Sequence, residues 1–374
     1  MTKKLFIACA GAGKTTRIVK ESIELTDEGK KVLVITYTRS NQNELYRKFD
    51  ELGGQRRELF IVKGWYSFIL EDVVRPYQRC IFTTRIDGIN LNSSNPHKRG
   101  RMNIPGRKEK LKAKYNEKHF LTSQNRAHTE FLSKLGCRIV KEDNIAISER
   151  ISSIYSRVYL DETQDFAGWD FDLIKLIAKS KELEIHAVGD FRQTIYHTTS
   201  KPKVPSDSQQ KLEAYRKMGF VFSALNECWR SIQPICEFAD TVHKGEGYSK
   251  TESKVDYPGI DIHTGIHFVS PKDVSKYVKQ HAPLILRHSA NSGKELDIYE
   301  NLMTFGDSKG QTVDHVLIHP TDRFIKFLKG QDGAFADKQT SQNKLYVAIT
   351  RARYSVAFIV SDKHFDEILW QAAN

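Results

Sequence analysis

The chain has 374 residues, 39% of them hydrophobic, about two domains' worth of globular protein and not the composition of a disordered one. Lys and Arg outnumber Asp and Glu by 58 to 46, a formal charge of +12 that favours a polyanionic partner. No run of about 18 apolar residues occurs and no apolar signal core precedes Leu5, so no membrane is expected as a partner and the expected location is the cytoplasm.

The first apolar run, Leu5 to Ala8, leads into Cys9-Ala10-Gly11-Ala12-Gly13-Lys14-Thr15 and then an amphipathic stretch from Thr15 to Leu25, before a second apolar run from Lys31 to Thr36. Strand, glycine turn, helix and strand make a β-α-β unit. A glycine-rich turn in that place wraps phosphates with its backbone N–H groups, so Ala10, Gly11, Ala12 and Gly13, with Lys14, Thr15 and Thr16 behind them, form a cradle for ATP or GTP. Lys14 supplies a point charge to the terminal phosphate oxygens and Thr15 is a Mg²⁺ ligand. Ala8 stands where the pattern usually begins with glycine.

From Arg75 to Gly136 the rhythm breaks. Fourteen basic residues face four acidic ones there, which puts +10 of the chain's +12 in one polar segment. It reads either as an inserted subdomain with a nucleic-acid-facing surface or as a solvated insertion, and Tyr77, Phe82, Tyr115, Phe120 and Phe131 offer both core and stacking faces.

Further strand-like runs follow at Arg157 to Leu160, Ile185 to Val188, Phe220 to Leu225, Pro283 to Arg287, His315 to His319 and Ser355 to Val360, with helical patterns between most of them. The chain is therefore expected to be α/β with parallel sheets. Asp161-Glu162 closes the third strand, where Asp161 is placed to hold Mg²⁺ and Glu162 to polarise an attacking water. Gly189-Asp190 closes another strand, and Gln193 beyond it is a candidate sensor of the terminal phosphate. A polar stretch, Thr198 to Gln210, reads as a linker between halves. In the second half, Arg230 and Arg351 are candidates for cations that reach over a nucleotide.

The five cysteines, at 9, 80, 137, 228 and 236, form no C-x-x-C pair and read as reduced thiols with neither a disulfide framework nor a zinc site. His263 and His267 read as a surface pair.

In order, Ala-Gly-Ala-Gly-Lys-Thr at 10–15, Val-Ile-Thr-Tyr-Thr at 34–38, Leu-Asp-Glu-Thr-Gln-Asp at 160–165, Val-Gly-Asp-Phe-Arg-Gln-Thr-Ile-Tyr at 188–196, Trp-Arg-Ser at 229–231, Asp-Ser-Lys-Gly-Gln-Thr-Val-Asp at 307–314 and Tyr-Val-Ala-Ile-Thr-Arg-Ala-Arg at 346–353 resemble the motor motifs of superfamily 1 helicases, UvrD/Rep branch. The short build is similar to UvrD-like proteins of bacterial anti-phage defence systems such as Gabija. The resemblance implies two RecA-like P-loop motor domains: residues 1–76 with 137–200, and residues 201–374, with a small basic helical insertion at 77–136. It implies Mg²⁺ and ATP at Lys14, Thr15, Asp161, Glu162, Gln193, Arg230 and Arg351, with Trp229 stacked on the base and Gly310 beside the sugar and triphosphate. Thr312 stands where the family usually has a glutamate. On the nucleic-acid side it implies Thr36, Tyr37, Thr38, Trp65 and Tyr196, with Thr198 in place of a usual tryptophan; Trp65 reads equally as a core aromatic. The activity implied is that of a single-stranded-DNA-stimulated ATPase moving 3′→5′ on single-stranded or tailed DNA. The alternative is an ATP-gated DNA sensor that regulates a partner nuclease or effector.

Overall fold

The protein, seen in a computed structural model, is described at residues 2–92, 94–142, 147–195, 204–257, 259, 262–336 and 338–368. It divides into two compact units. The first comprises Met1–Ile7, Lys14–Gly189 and Tyr196–Ser223, and the second Ala8–Gly13, Asp190–Ile195 and Ala224–Asn374.

A six-stranded sheet orders its strands as Val221–Leu225, Lys3–Ala8, Glu184–Gly189, Arg157–Leu160, Val32–Thr36 and Phe60–Gly64. The pairings from Lys3–Ala8 to Phe60–Gly64 are all parallel. Strand Val32–Thr36 is buried at every position, as a central strand covered on both faces must be. The register sets Ile7 against Gly189, Leu160 against Ala187 and Leu160 against Ile35. The chain therefore leaves these strands at one edge of the sheet, the carboxyl edge, where open α/β sheets bind ligands.

Helix Lys14–Asp27 follows the glycine turn and buries Ile18, Val19, Ser22 and Thr26, a stripe at helical spacing. Helix Arg39–Glu51 starts at Thr38, whose hydroxyl accepts the N–H of Asn41 at 3.1 Å.

A second sheet of five strands lies wholly in the second unit, in the order Gly265–Val269, Ala352–Ile359, Val313–Ile318, Leu284–Arg287 and Leu302–Thr304, with every pairing parallel. Helices Gln233–Thr241 and Gln339–Ile349 add Ile235, Phe238, Leu345 and Tyr346 to its core with Val316, Val356 and Phe358. The chain is thus α/β with two parallel sheets, the class the strand pattern called for. Among the described residues, no helix is long and apolar enough to cross a membrane.

Two expectations change. The boundary drawn at 201 falls at Ala224, because helix Ser208–Lys217 packs in the first unit: Lys211 donates to the Gln164 carbonyl at 2.6 Å and Tyr215 bonds the Thr163 hydroxyl. The basic insertion is also not helical for most of its length. It is built from short strand pairs, Lys98–Arg99 with Met102–Asn103, Lys110–Leu111 with Lys114–Tyr115, and Gly88–Asn90 with Arg126–His128. The backbone turns at Lys112 and Asn125 take φ of 54° and 56°, a conformation that stops a helix. The segment buries Phe82, Phe120, Leu121, Ala127 and Leu132, with the Phe82 and Phe120 rings 5.9 Å apart, and Glu109 ties it to the following helix through Lys134 and Arg138, both at 2.6 Å. Lys98, Arg99, Arg101, Lys108, Lys110, Lys112 and Lys114 stay exposed on it.

Candidate functional site

In the first unit, Lys14 opens its helix and places its ammonium 3.3 Å from Glu162 Oε1. Asp161 follows strand Arg157–Leu160, its N–H donating to the Ile35 carbonyl at 2.9 Å, and its buried carboxylate accepts the Thr36 hydroxyl at 3.0 Å. Glu162 sits at φ 49°, a left-handed conformation costly for a side chain with a Cβ. Gln164 donates to its second carboxylate oxygen. Strain of this kind concentrates at functional sites, and here it aims a carboxylate at the lysine. Thr15 and Thr16, both half-buried, follow Lys14 in the helix.

The acid pair tests whether these residues suit a divalent cation. Burial, and then the neighbouring Glu162 charge, drive the Asp161 carboxyl up from its ordinary value, with Lys14 and the Thr36 hydroxyl opposing. Two adjacent carboxylates, one of them buried, repel each other when both are charged, and a divalent cation beside them relieves that repulsion. Asp161 and Thr15, both oxygen donors, would hold Mg²⁺, which would neutralise charge on a bound triphosphate. Such a site needs no cluster of three or more His, Cys, Asp or Glu, and among the described residues none occurs.

The glycine turn is grouped with the second unit, and its hydrogen bonds show why. Cys9 N–H donates to the Leu225 carbonyl at 2.8 Å, Ala10 N–H to the Tyr346 hydroxyl at 3.1 Å, and the Gly11 carbonyl accepts Trp229 N–H at 2.9 Å. Gly11 holds φ 75°, and a Cβ there would meet Arg230 Cβ at 2.8 Å and Cys228 Sγ at 2.9 Å. Only glycine fits both the backbone and the space. The Trp229 ring edge lies 3.9 Å from where a Cβ on Gly13 would be, and the side chain is 62% exposed.

Arg230 donates to the Thr350 carbonyl at 2.9 Å. Arg351 is buried, with its guanidinium donating to the carbonyls of Val347 at 2.9 Å and Gln311 at 3.3 Å and to the Thr350 hydroxyl at 3.2 Å. The two arginines thus meet at Thr350, one against the glycine turn and one inside its own unit. Gly310 is exposed at φ 93° beside the Gln311 carbonyl that Arg351 uses. Gln193 is buried and donates to Asp190 at 2.9 Å.

Sequence reasoning passed over Arg192 and Tyr346. Arg192 is buried, pairs with Asp190 at 3.3 Å and Asp240 at 2.9 Å, and lies 4.5 Å over the Tyr346 ring. The signal was present in Asp190-Phe191-Arg192-Gln193, but an arginine in a polar turn does not announce that it is buried.

The nucleic-acid candidates fare unevenly. Thr36 is fully buried with its hydroxyl on Asp161, which sets it on the acid pair's side. Thr38 is exposed but caps a helix, and Tyr37 donates its hydroxyl to Asp170 at 2.9 Å. Trp65 is corrected: it is 1% exposed, donates its indole N–H to Asp170 at 2.9 Å and packs edge-on to Phe166, so it is a core aromatic. Tyr196 lies outside the described residues, as does Thr198. The expected His263 and His267 pair is part of a larger group, since His263 stacks at 3.9 Å on both His267 and His281 and lies 5.9 Å from His315.

No protein-family model matches this chain, and no curated protein does. Among solved structures, the chain is similar to an arterivirus nonstructural protein 10 (helicase) in complex with DNA, with a TM-score of 0.46 and 12% identity over 98% of this chain. The match spans 63% of that protein's chain. A likeness of that order leaves the fold class resting on the chain's own sheets and the chemistry on its own side chains.

Proposed function

We propose that the chain is an ATP-dependent motor on nucleic acid, a translocase or helicase whose ATP hydrolysis is stimulated by single-stranded DNA. The observation that carries this reading is the Lys14, Glu162 and Asp161 constellation at the carboxyl edge of the first sheet, beginning where the glycine turn ends. Lys14 binds the terminal phosphate oxygens, Asp161 and Thr15 hold Mg²⁺, and Glu162 orients and polarises the water that attacks. Mg²⁺, when bound, neutralises charge on the phosphates. In the second unit, Gln193 donates to Asp190 and the Arg230 Cβ lies against Gly11 of the glycine turn. The exposed lysines and arginines of the insertion supply backbone affinity for the nucleic acid. The 3′→5′ polarity is carried by the UvrD/Rep resemblance.

Steady-state ATPase with and without single-stranded DNA or RNA, followed by strand displacement from substrates with either tail polarity, tests the proposal. Lys14→Ala should lower turnover about 10²–10³-fold, the effect of removing one preorganised charge from a transition state. Its DNA affinity should stay within about twofold, because the phosphate contacts that dominate that affinity lie elsewhere. A full-rate variant would remove the motor reading. Weak unwinding together with co-purification of an effector would instead favour the regulatory subunit.

A further inference from the structure

Three of the five cysteines, Cys9, Cys228 and Cys236, form one buried cluster packed against Ala12 of the glycine turn. Nothing in the hydrolysis chemistry uses them. The Cys228 sulfur accepts the Ser231 N–H at 3.4 Å, while the Cys236 thiol donates to the Ser231 carbonyl at 3.5 Å. The neighbouring Cys236 thiol, with the Ser231 and Arg230 amides, holds the Cys228 thiol below its ordinary range against burial. The proximity of Cys228, and then burial, drive Cys236 up, and burial pushes Cys9 up to about 12. The pair therefore has the division of labour that thiol oxidation needs, one sulfur ready to ionise and a neighbour holding a proton.

Access is selective. Both sulfurs line a cavity of about 10 Å³ shared with Ala10 and Tyr346, room for a water-sized molecule and little more. Hydrogen peroxide is larger than water by one oxygen, whereas a tripeptide disulfide is larger many times over.

We propose that hydrogen peroxide converts Cys228 and Cys236 into a reversible disulfide, and that this bond loosens the glycine turn and weakens nucleotide binding. The Cys228 thiolate attacks one peroxide oxygen, the O–O bond breaks, and the departing hydroxide takes a proton to become water. Cys228 is then a sulfenic acid. The Cys236 sulfur attacks it, the S–S bond forms as the S–O bond breaks, and the hydroxide leaves as a second water with the Cys236 proton. Two thiols are oxidised and one peroxide is reduced to two waters, and a reducing thiol reverses the bond by exchange.

The coupling to the turn is geometric. Cys228 Sγ and Arg230 Cβ flank Gly11 from one short segment, whose Trp229 N–H holds the Gly11 carbonyl. Both sulfurs bond main-chain atoms of Ser231, and closing them to a bond length of about 2.05 Å would move Cys228 towards helix Gln233–Thr241 and strain that clamp. This second half of the proposal rests on the turn being a nucleotide site.

The test compares the wild-type chain with C236S and C9S after peroxide treatment, alkylation of remaining thiols and peptide mass mapping. Binding of a fluorescent ATP analogue with Mg²⁺ is measured on the same samples. Wild type and C9S should yield one linked peptide pair joining 228 to 236, lose at least about tenfold in nucleotide affinity, and recover with dithiothreitol. C236S should give no linked pair, show a dimedone-trapped sulfenic acid at Cys228, and keep its affinity within about twofold. Absence of the 228–236 link, or a link that leaves nucleotide affinity unchanged, overturns the proposal, as does an equal loss in C236S. Should the reduced protein bind no nucleotide at all, the motor reading fails, and the peptide map alone decides the thiol chemistry.

Discussion

The charged groups of the first unit and those of the second are held in opposite ways. Asp161 and Glu162 share the charge of Lys14, and Asp161 is buried deeply enough that its carboxyl is driven up. Arg351 instead directs its guanidinium at two carbonyls and a hydroxyl of its own unit, and Arg192 lies between Asp190 and Asp240. Charge left short of a counter-charge is prepared for something that binds, whereas charge surrounded by matched acceptors is already spent on architecture. On that comparison the acid pair of the first unit is the proposed chemical centre, and Arg351 is bonded within its own unit.

Glu162→Gln should break the comparison most sharply. It keeps the side-chain shape and the backbone at φ 49° but removes the charge facing Lys14. Turnover should fall by about 10²–10⁴-fold, the range for losing a general base, while nucleotide still binds. Single-turnover hydrolysis measured alongside ATP affinity checks this, and unchanged turnover would make Glu162 only a partner for the lysine. Arg351→Ala should act on folding instead. A hydrogen bond to a charged group contributes about 1.5–3 kcal/mol and the three here are not additive, so losing the set should cost at least about 3 kcal/mol and lower the urea midpoint without nucleotide present. A variant as stable as wild type but inactive would return Arg351 to the catalytic set.

Much of this was legible before any coordinates, and the reasons differ by element. Strands such as Arg157–Leu160 and Val313–Ile318 are apolar enough to read directly, and the motif residues at their ends locate the carboxyl edge. Phe60–Gly64 escaped because it alternates buried and half-buried residues around Lys63, and Gly265–Val269 because His267 interrupts a short run. Leu302–Thr304 is too short to show a period. The insertion's charge was plain, but its strand pairs hold two or three residues each, below what periodicity can detect. Trp65 stayed open between two readings for another reason. An aromatic after a strand reads the same whether it faces solvent or the core, and only the buried Asp170 carboxylate, 105 residues away, supplies the partner its indole N–H needs. Arg192 needed Asp240 in the same way, across 48 residues.

The state of Asp161 has a pH signature that sharpens the same contrast. Its folded value is raised from 3.8 to about 7, so folding takes up a proton between those limits. The stability this proton brings is complete below 3.8 and is lost as the pH rises through about 7. Thermal midpoints without nucleotide should therefore fall over that interval, and Asp161→Asn should remove the slope and raise the midpoint at pH 8. Mg²⁺ with nucleotide should flatten the wild-type slope, because the cation supplies the missing charge. An Asn variant that keeps the full slope would assign it to another group.

The smallest effect is expected at Trp229, the one exposed aromatic among the second unit's candidates. Its ring is 62% exposed and lies beside the end of the glycine turn, so little of it contributes to folding. Trp229→Ala should change stability by no more than about 0.5 kcal/mol. If the ring stacks on the adenine base, its loss should cost about 1 kcal/mol of nucleotide binding, roughly fivefold in affinity. Inorganic triphosphate offers no base to stack on and should bind the variant as it binds wild type. Equal losses for ATP and triphosphate would mean that the substitution disturbs the Trp229 N–H to Gly11 carbonyl clamp rather than a stacking face, placing Trp229 with Arg351 among the residues that build the site.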